Sequence, residues 1–229
     1  MIPKKIHYCW FGGKPKPDKV NQMIDSWKKY CPDYEIKEWN ETNFDINTNL
    51  YCKEAYNLKK WAFVSDVARL YALYNEGGIY MDTDVEVIRT FDDLLNDNGF
   101  LGFECTSCIS TAVIGTVQNN EFIKVFLDSY NERNFILSDG NFDTTTNVYK
   151  LTKLLLSYGL QCNGSKQEIR GFIIYPRDYF TPYDYINGKL SLTENTFSIH
   201  WFSQTWIGRK NWINSFYKIY HRIIGAKMD

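Results

Sequence analysis

The chain has 229 residues, of which 44% are hydrophobic and 23% are charged, a composition that fits one globular domain with its own core. Its formal net charge of −1 excludes the strong basic field typical of nucleic-acid-binding proteins. No apolar run approaches the roughly 18 residues that a membrane span requires. Residues 1–11 lack the apolar core of a signal peptide, so we expect a cytoplasmic protein.

Six cysteines are present, and without an export signal we expect them to be reduced thiols. Cys105 and Cys108 form a lone C-x-x-C pair. A zinc site would need two further ligands, and the sequence has no second C-x-x-C and no H-x-x-x-H. The pair therefore does not indicate a structural zinc site.

The first part of the sequence alternates between strand and helix patterns. A short apolar run over residues 6–11 ends at a Gly-Gly turn and predicts a strand. Apolar residues at helical spacing predict a helix over residues 20–27 that stops near Cys31. Residues 34–39 alternate and predict a second strand, which a polar loop over residues 40–47 follows.

A strong helical pattern then covers residues 58–75 and ends at two glycines, the residue type that commonly ends helices. A strand is predicted over residues 79–88. Further elements follow in chain order: strands over 99–104 and 111–116, helices over 120–130 and 148–158, strands over 172–176 and 197–201, and a helix over 210–227. Alternating strands and helices indicate an α/β fold, and no repeat or linker divides the chain.

Asp82 and Asp84 lie two residues apart in the strand predicted over 79–88, so their side chains should share one face. Two neighbouring carboxylates repel unless water or a cation separates them. The glycine and distal glutamate of a calcium-binding EF-hand are missing at the required offsets. Because Mg²⁺ or Mn²⁺ held by two carboxylates commonly takes phosphate oxygens as further ligands, the pair suggests a nucleoside diphosphate site.

Asp66 and Arg69 lie three residues apart in the preceding helix and share one of its faces. A surface ion pair is one interpretation, and such a pair contributes less than about 1 kcal/mol. The other is a carboxylate and a guanidinium directed at ligand hydroxyls. The glycine turn favours the second, because it returns this helix beside the Asp82 strand.

Together these spaced motifs resemble those of the DXD glycosyltransferases of the glycosyltransferase 32 type, which include bacterial capsule and polysaccharide enzymes and yeast mannosyltransferases. They are also similar to those of the clostridial glucosylating toxins. The resemblance covers residues 2–104 and returns near residue 200. The motifs that carry it are the opening residues 2–13, Ser65-Asp66-x-x-Arg69, Gly77-Gly78-x-Tyr80-x-Asp82-x-Asp84, His200-Trp201 and Thr205-Trp206.

The resemblance implies a GT-A fold, which is an α/β fold with a Rossmann-like mixed central sheet flanked by helices. The single domain over residues 1–229 would comprise a nucleotide-sugar-binding half, 1–104, and an acceptor-side half, 105–229. The implied donor is a UDP-sugar, the implied cofactor is Mn²⁺ or Mg²⁺, and the implied outcome is retention of the anomeric configuration.

The resemblance also implies roles for individual residues. In its terms Asp82, Asp84 and His200 bind the metal, and Asp66 and Arg69 hold sugar hydroxyls. Nucleotide contacts are implied for four further side chains: Trp10, Tyr80, Thr205 and Trp206. Of these, Thr205 and Trp206 would close over the diphosphate. Each assignment has a structural alternative, since Trp10 and His200 are also residue types found in ordinary cores.

Retention could use a carboxylate nucleophile, for which Glu104 and Asp143 are candidates, or same-face attack with the leaving phosphate as base. We prefer same-face attack. The hydroxyl- and amide-rich residues 143–147 could line a sugar site or cap the helix that follows. The basic, aromatic residues 210–227 could dock on the inner face of an anionic membrane or pack on the core.

The sequence thus predicts a metal-dependent, retaining transferase that moves a hexose, galactose or glucose, from a UDP-sugar to a saccharide or lipid-linked saccharide in bacterial surface polysaccharide synthesis. One alternative is a metal-dependent nucleotidyltransferase or phosphatase, although residues 12–16 lack the spacing of a phosphate-binding P-loop. Another is a non-catalytic sugar-binding module, which the 17% aromatic content suggests. A toxin-like enzyme that modifies a host protein is disfavoured by the short chain.

Overall fold

The structure is a computed structural model that describes residues 1–203. The helices of this region are α1 (Asp18–Tyr30), α2 (Leu50–Asn57), α3 (Trp61–Glu76), α4 (Glu121–Asp128) and α5 (Asn147–Ser157). Its strands are β1 (Lys5–Cys9), β2 (Glu35–Trp39), β3 (Gly78–Met81), β4 (Val85–Val87), β5 (Gly99–Cys105), β6 (Cys108–Ile109), β7 (Val113–Thr116), β8 (Gln167–Ile169), β9 (Phe172–Tyr175), β10 (Tyr183–Asp184), β11 (Lys189–Leu190) and β12 (Ser198–His200).

A mixed central sheet organises the fold. Within residues 1–203 its strand order is β2-β1-β3-β7-β5-β9-β8, with β6 paired to β5. The pairs β1–β2, β1–β3 and β5–β9 are parallel, whereas β7 runs antiparallel to both β3 and β5. One apolar cluster packs α2–α5 against one face, and a second packs α1 against the other. The predicted α/β class, a mixed sheet flanked by helices, is confirmed.

Most of the predicted elements are present, and two differences are informative. The single strand predicted over residues 79–88 is wrong: β3 ends at Met81 and β4 begins at Val85, with a turn between them. Helix α2 was not predicted, although Asn49 caps its first turn by accepting a hydrogen bond from the backbone N–H of Cys52 at 2.8 Å. The predicted helix over 210–227 lies outside the described residues.

The expectation that all cysteines are reduced thiols is wrong for one pair. Cys105 and Cys108 form a disulfide. The two cysteines face each other in register across the β5–β6 hairpin, with their Cα atoms 5.2 Å apart. This spacing lies within the range that a disulfide can bridge. Cys9, Cys31 and Cys52 are buried thiols outside any disulfide.

Helix α3 passes into strand β3 with no loop between them. Gly77 and Gly78 make this reversal with positive φ angles of 63° and 97°, a region that side chains disfavour. A Cβ atom on Gly78 would lie 2.6 Å from the carbonyl oxygen of Lys5. Glycine is therefore required here, and the reversal sets α3 directly over the strand that leads to Asp82.

A buried histidine ties the start of β3 to the two neighbouring strands. His7 on β1 lies 2.7 Å through Nε2 from the carbonyl oxygen of Gly77, and its Nδ1 accepts a hydrogen bond from the indole N–H of Trp39 on β2 at 3.0 Å. Because Nδ1 is an acceptor, His7 must be neutral with its proton on Nε2. Burial lowers the pKa of His7 to about 4, although the Gly77 carbonyl opposes the shift.

Among the described residues, no helix has the length and apolar character needed to cross a bilayer.

We predict that His7 makes the fold sensitive to acid. In the unfolded chain His7 takes up a proton near its ordinary pKa of about 6.5, whereas the folded protein resists protonation to about pH 4. The unfolded state therefore binds more protons in this window, and the free energy of unfolding should fall by up to about 3 kcal/mol as pH drops from 6.5 to 4. Urea denaturation at several pH values measures this loss. A His7→Gln variant should be less stable throughout but show a shallower slope, and an equal slope in both proteins would contradict the prediction.

Candidate functional site

Asp82 and Asp84 lie in the turn between β3 and β4, not in a continuous strand. The turn is closed by a hydrogen bond from the N–H of Val85 to the carbonyl of Asp82 at 3.1 Å. It is anchored on the sheet side by a bond from the N–H of Asp82 to the carbonyl of Ala112 at 2.9 Å. The two carboxylates therefore come together through turn geometry, and the prediction that strand alternation places them on one face is wrong.

A second chain segment brings His200 to this turn. Strand β12 pairs antiparallel with β4 and sets His200 opposite Val85. The imidazole Nε2 lies 3.3 Å from Asp84 Oδ1, and the N–H of Ser203 donates to Asp84 Oδ2 at 2.8 Å. Asp82, Asp84 and His200 each offer a ligand atom within 4.8 Å of the other two. The structure thus brings together all three residues predicted to bind a metal.

The two carboxylates of this triad stabilise a positive charge, which is the His200 proton in the protein alone and which a divalent cation would displace on binding. Burial would keep His200 neutral, but the adjacent Asp84 carboxylate raises its pKa to about 9. Burial likewise disfavours the charge on Asp84, yet the His200 imidazolium lowers its pKa. His200 Nδ1 is buried and has no hydrogen-bond partner among the described residues. Two carboxylates and an imidazole form a donor set that suits Mn²⁺, so these side chains fit a divalent cation.

Arg69 links the metal-binding turn to helix α3. Its guanidinium lies 3.0 Å from Asp66 Oδ1 and 3.3 Å from Asp82 Oδ1, and it donates to the carbonyl of Thr111 at 2.8 Å. The guanidinium carbon also lies 4.5 Å from the centre of the Tyr80 ring, whose hydroxyl donates to Asp82 at 2.9 Å. Asp66 and Arg69 are only 8% and 5% exposed, which excludes the surface ion pair considered from the sequence.

Asp66 is buried in the site, and neighbouring cations stabilise its charged form. Burial raises its pKa to about 6, and Arg69 and then Lys150 oppose that rise. For Arg69, burial opposes the charge, but Asp82, Tyr80 and Asp66 together raise its pKa. At neutral pH the site therefore presents an ionised Asp66 carboxylate beside a permanently charged guanidinium.

Of the remaining predicted residues, Trp10 lies within the described part of the chain and Thr205 and Trp206 do not. Trp10 follows β1, whose parallel pairing with β3 brings the carboxyl ends of both strands to one edge. Its half-buried indole donates to the carbonyl of Lys14 at 2.6 Å. The predicted nucleotide contacts Thr205 and Trp206 lie outside the described residues, as does any membrane contact made by residues 210–227.

The two candidate nucleophiles have different surroundings. Glu104 lies on β5, is buried, and is near enough to His200 to help raise its pKa. Asp143 instead forms an ion pair with Arg133 and accepts a hydrogen bond from the N–H of Thr145 at 3.1 Å. The helix-capping interpretation of residues 143–147 is confirmed, because Thr146 accepts a hydrogen bond from the N–H of Tyr149 at the start of α5.

Three side chains near Asp66 were not predicted from the sequence. Lys150 on α5 lowers the pKa of Asp66 through its charge. The Lys150 ammonium lies 4.3 Å from the centre of the Tyr130 ring, and the charge of Arg133 lowers the pKa of Lys150. No sequence motif marks them, because they belong to a helix and a loop that only the tertiary fold brings to α3. The hydroxyl- and amide-rich residues 143–147, which precede and begin α5, were the one sequence signal that this region could line a sugar site.

Comparison with known proteins gives one matching family description and several similar sequences. Residues 17–101 match the family described as the glycosyltransferase sugar-binding region containing the DXD motif. The chain is 31% identical over 137 residues to inositol phosphoceramide mannosyltransferase 3 of Schizosaccharomyces pombe, an alignment that covers 53% of this chain and 35% of the relative. It is 27% identical over 173 residues to subversion of eukaryotic traffic protein A of Legionella pneumophila, covering 61% of this chain and 26% of the relative.

Among solved structures, the PaToxG glycosyltransferase is similar with a TM-score of 0.50 and 21% sequence identity, covering 68% of each chain. This likeness concerns the fold and confirms the predicted GT-A architecture. The chain spans only 35% and 26% of the two curated relatives described above. Residues 17–101, which contain Asp66, Arg69 and the Asp82-x-Asp84 turn, are therefore similar to the sugar-binding region of glycosyltransferases that contains the DXD motif.

Proposed function

We propose that this protein transfers a hexose from a nucleoside diphosphate sugar to a hydroxyl acceptor in a metal-dependent reaction. The observation that carries the proposal is the convergence of Asp82, Asp84 and His200 beside the buried Asp66–Arg69 pair. A divalent cation at the triad would supply positive charge to the diphosphate leaving group. The adjacent pair would face the sugar.

The protein side chains have distinct parts in this proposal. Two carboxylates and two main-chain carbonyls hold Arg69, so its guanidinium is fixed in place before substrate arrives. Asp66 accepts hydrogen bonds from sugar hydroxyls, and Tyr80 orients Asp82 through its hydroxyl. Trp10, at the same edge of the sheet, offers a half-exposed indole face on which the nucleotide base can stack.

A UDP-hexose, either UDP-galactose or UDP-glucose, is the donor that we propose first. The names of the yeast relatives favour a mannosyl donor, such as GDP-mannose, as the second candidate. The proposed acceptor is a saccharide or a lipid-linked saccharide of a bacterial surface polysaccharide. The cytoplasmic location and the division into halves at residues 104 and 105 stay predictions.

We propose retention of configuration by same-face attack, in which the leaving phosphate takes the acceptor proton. Asp143 is a poor nucleophile in this setting because Arg133 engages its carboxylate. Burial would raise the pKa of Asp143, but Thr145 and Arg133 lower it, which further reduces its nucleophilicity. The charge of Glu104 helps to raise the pKa of His200 in the triad, so Glu104 is the carboxylate to test if a covalent intermediate is found.

Metal and nucleotide binding should stabilise the folded protein. Mn²⁺ with UDP at about 100 times the dissociation constant should add about 2.7 kcal/mol, because the ligands bind only the native state. For a chain of this size this corresponds to a rise in melting temperature of about 5–10 °C. Differential scanning fluorimetry measures the shift. Asp84→Asn should lose most of it.

The matched control for this variant is Asp25→Asn, which changes the charge of an exposed carboxylate on α1. It should keep the full Mn²⁺ and UDP shift. An undiminished shift in Asp84→Asn would place the metal elsewhere and contradict the triad.

Catalysis should depend on the same residues. We expect Mn²⁺-dependent release of UDP from UDP-glucose or UDP-galactose, or of GDP from GDP-mannose, with water as the acceptor in the absence of a known one. Asp84→Asn should reduce the rate by about 10²–10³-fold, the loss typical when transition-state charge stabilisation is removed. Coupled nucleotide detection measures the rate. Release of inorganic phosphate in place of nucleoside diphosphate would favour the nucleotidyltransferase or phosphatase alternative.

A further inference from the structure

Helix α5 presents two side chains toward Asp66 from one face. Asn147 is its first residue and Lys150 follows one turn later, so the two are neighbours on the helix surface. Thr146 fixes the start of the helix by capping it. Both side chains act on Asp66, because each lies near enough to oppose the rise in its pKa.

Tyr130 joins the two side chains and determines which of their atoms remain available. Its buried hydroxyl donates to Asn147 Oδ1 at 2.9 Å and accepts from Lys150 Nζ at 3.3 Å. The acceptor atom of the Asn147 amide is therefore occupied by Tyr130. The donor end, Nδ2, is left to face Asp66.

The Asn147 donor is buried and unpartnered. The residue is only 4% exposed, and Nδ2 has no hydrogen-bond partner within residues 1–203. It lowers the pKa of the Asp66 carboxyl as a hydrogen-bond donor directed at that group, although Nδ2 does not reach the geometry of a formed hydrogen bond. Native proteins rarely leave a buried amide N–H₂ without a partner, so this atom points to a ligand or a bound water.

The Lys150 ammonium is also incompletely satisfied. Within the described part of the chain its one hydrogen bond is to Tyr130, and no carboxylate lies within 4.0 Å of it. The nearby carboxylates of Asp66 and Asp143 are instead paired with Arg69 and Arg133. The ammonium lies 4.3 Å and 4.8 Å from the ring centres of Tyr130 and Tyr51. Burial lowers its pKa to about 8, so it is still largely charged at neutral pH.

The charges around these donors indicate a neutral ligand. Three cations, Arg69, Arg133 and Lys150, lie with three anions, Asp66, Asp82 and Asp143. The balance leaves no net charge that would favour a carboxylate or a phosphate. Free amide and ammonium donors beside a carboxylate acceptor instead match hydroxyl groups, which accept from the former and donate to the latter.

We propose that Asn147 and Lys150, together with Asp66, recognise hydroxyl groups of the transferred sugar and help to select that sugar. The inference rests on the proposed function. The transferred sugar is favoured over the acceptor because Arg69 contacts both Asp66 and Asp82. This arrangement puts Asn147, Lys150 and Asp66 next to the proposed diphosphate end of the donor. Asn147 and Lys150 are thus specificity-determining residues, whereas the metal triad holds the diphosphate.

The test separates sugar binding from nucleotide binding. Lys150→Met removes the ammonium at similar side-chain length, and Asn147→Asp keeps an oxygen for Tyr130 but replaces the amide donor with a carboxylate. Calorimetry with Mn²⁺ compares UDP with UDP-glucose and UDP-galactose, and GDP with GDP-mannose. For the donor that the unmodified protein binds best, each variant should lose about tenfold or more in affinity, while affinity for the nucleoside diphosphate should stay within about twofold.

Lys153→Met is the matched control, because Lys153 lies on the same helix with an exposed side chain. It should bind both ligands like the unmodified protein. Equal losses for sugar-free and sugar-bearing nucleotides in the Lys150 and Asn147 variants would indicate a structural role and overturn the inference. Unchanged affinity for the nucleotide sugar would overturn it as well.

Deoxy analogues of the bound nucleotide sugar keep the inference testable if a variant does not fold. With the unmodified protein, removal of at least one sugar hydroxyl should cost about tenfold in affinity, and Lys150→Met or Asn147→Asp should abolish that cost. Equal binding of all deoxy analogues by the unmodified protein would overturn the inference alone. Failure of the unmodified protein to bind any nucleotide would overturn the proposed function as well, before any variant is compared.

Discussion

The buried guanidinium of Arg69 is the interaction on which the rest of the site depends. It joins Asp66 on helix α3 to Asp82 in the β3–β4 turn, and it also donates to the main-chain carbonyls of Ser65 and Thr111. A charge this deeply buried is tolerated only because carboxylates surround it. Loss of the guanidinium would leave the buried Asp66 carboxylate without its ion-pair partner, a change that typically costs about 3–5 kcal/mol. One residue thus couples the stability of the fold to the geometry of the site.

The fold meets this constraint with short connections. Gly77 and Gly78 reverse the chain between α3 and β3 without a loop, so Arg69 and Asp82 are close in space for local reasons. The neutral His7 fastens that reversal to strands β1 and β2. His200, by contrast, comes from a distant segment, and its position depends on the pairing of β12 with β4. The site is therefore part local motif and part tertiary assembly.

This division explains what could be predicted from the sequence. Asp66, Arg69, Tyr80, Asp82 and Asp84 lie within one helix–strand unit, where periodicity and glycine placement predict their proximity. The reason given for Asp82 and Asp84 was wrong, because turns break the alternation that a run of apolar residues suggests. Asn147 and Lys150 reach Asp66 only through the packing of α5 and the hydrogen bonds of Tyr130. Patterns along the chain do not report such contacts between distant segments.

The central claim is that Asp82, Asp84 and His200 hold a cation against a nucleoside diphosphate, with Arg69 and Asp66 directed at the sugar. A crystal structure of the protein with Mn²⁺ and UDP tests it most directly, because the anomalous signal locates the metal independently of the protein chain. The account predicts a Mn²⁺ peak bonded to Asp82, Asp84 and His200 and to diphosphate oxygens. A metal peak elsewhere, or UDP bound away from this edge of the sheet, would contradict it.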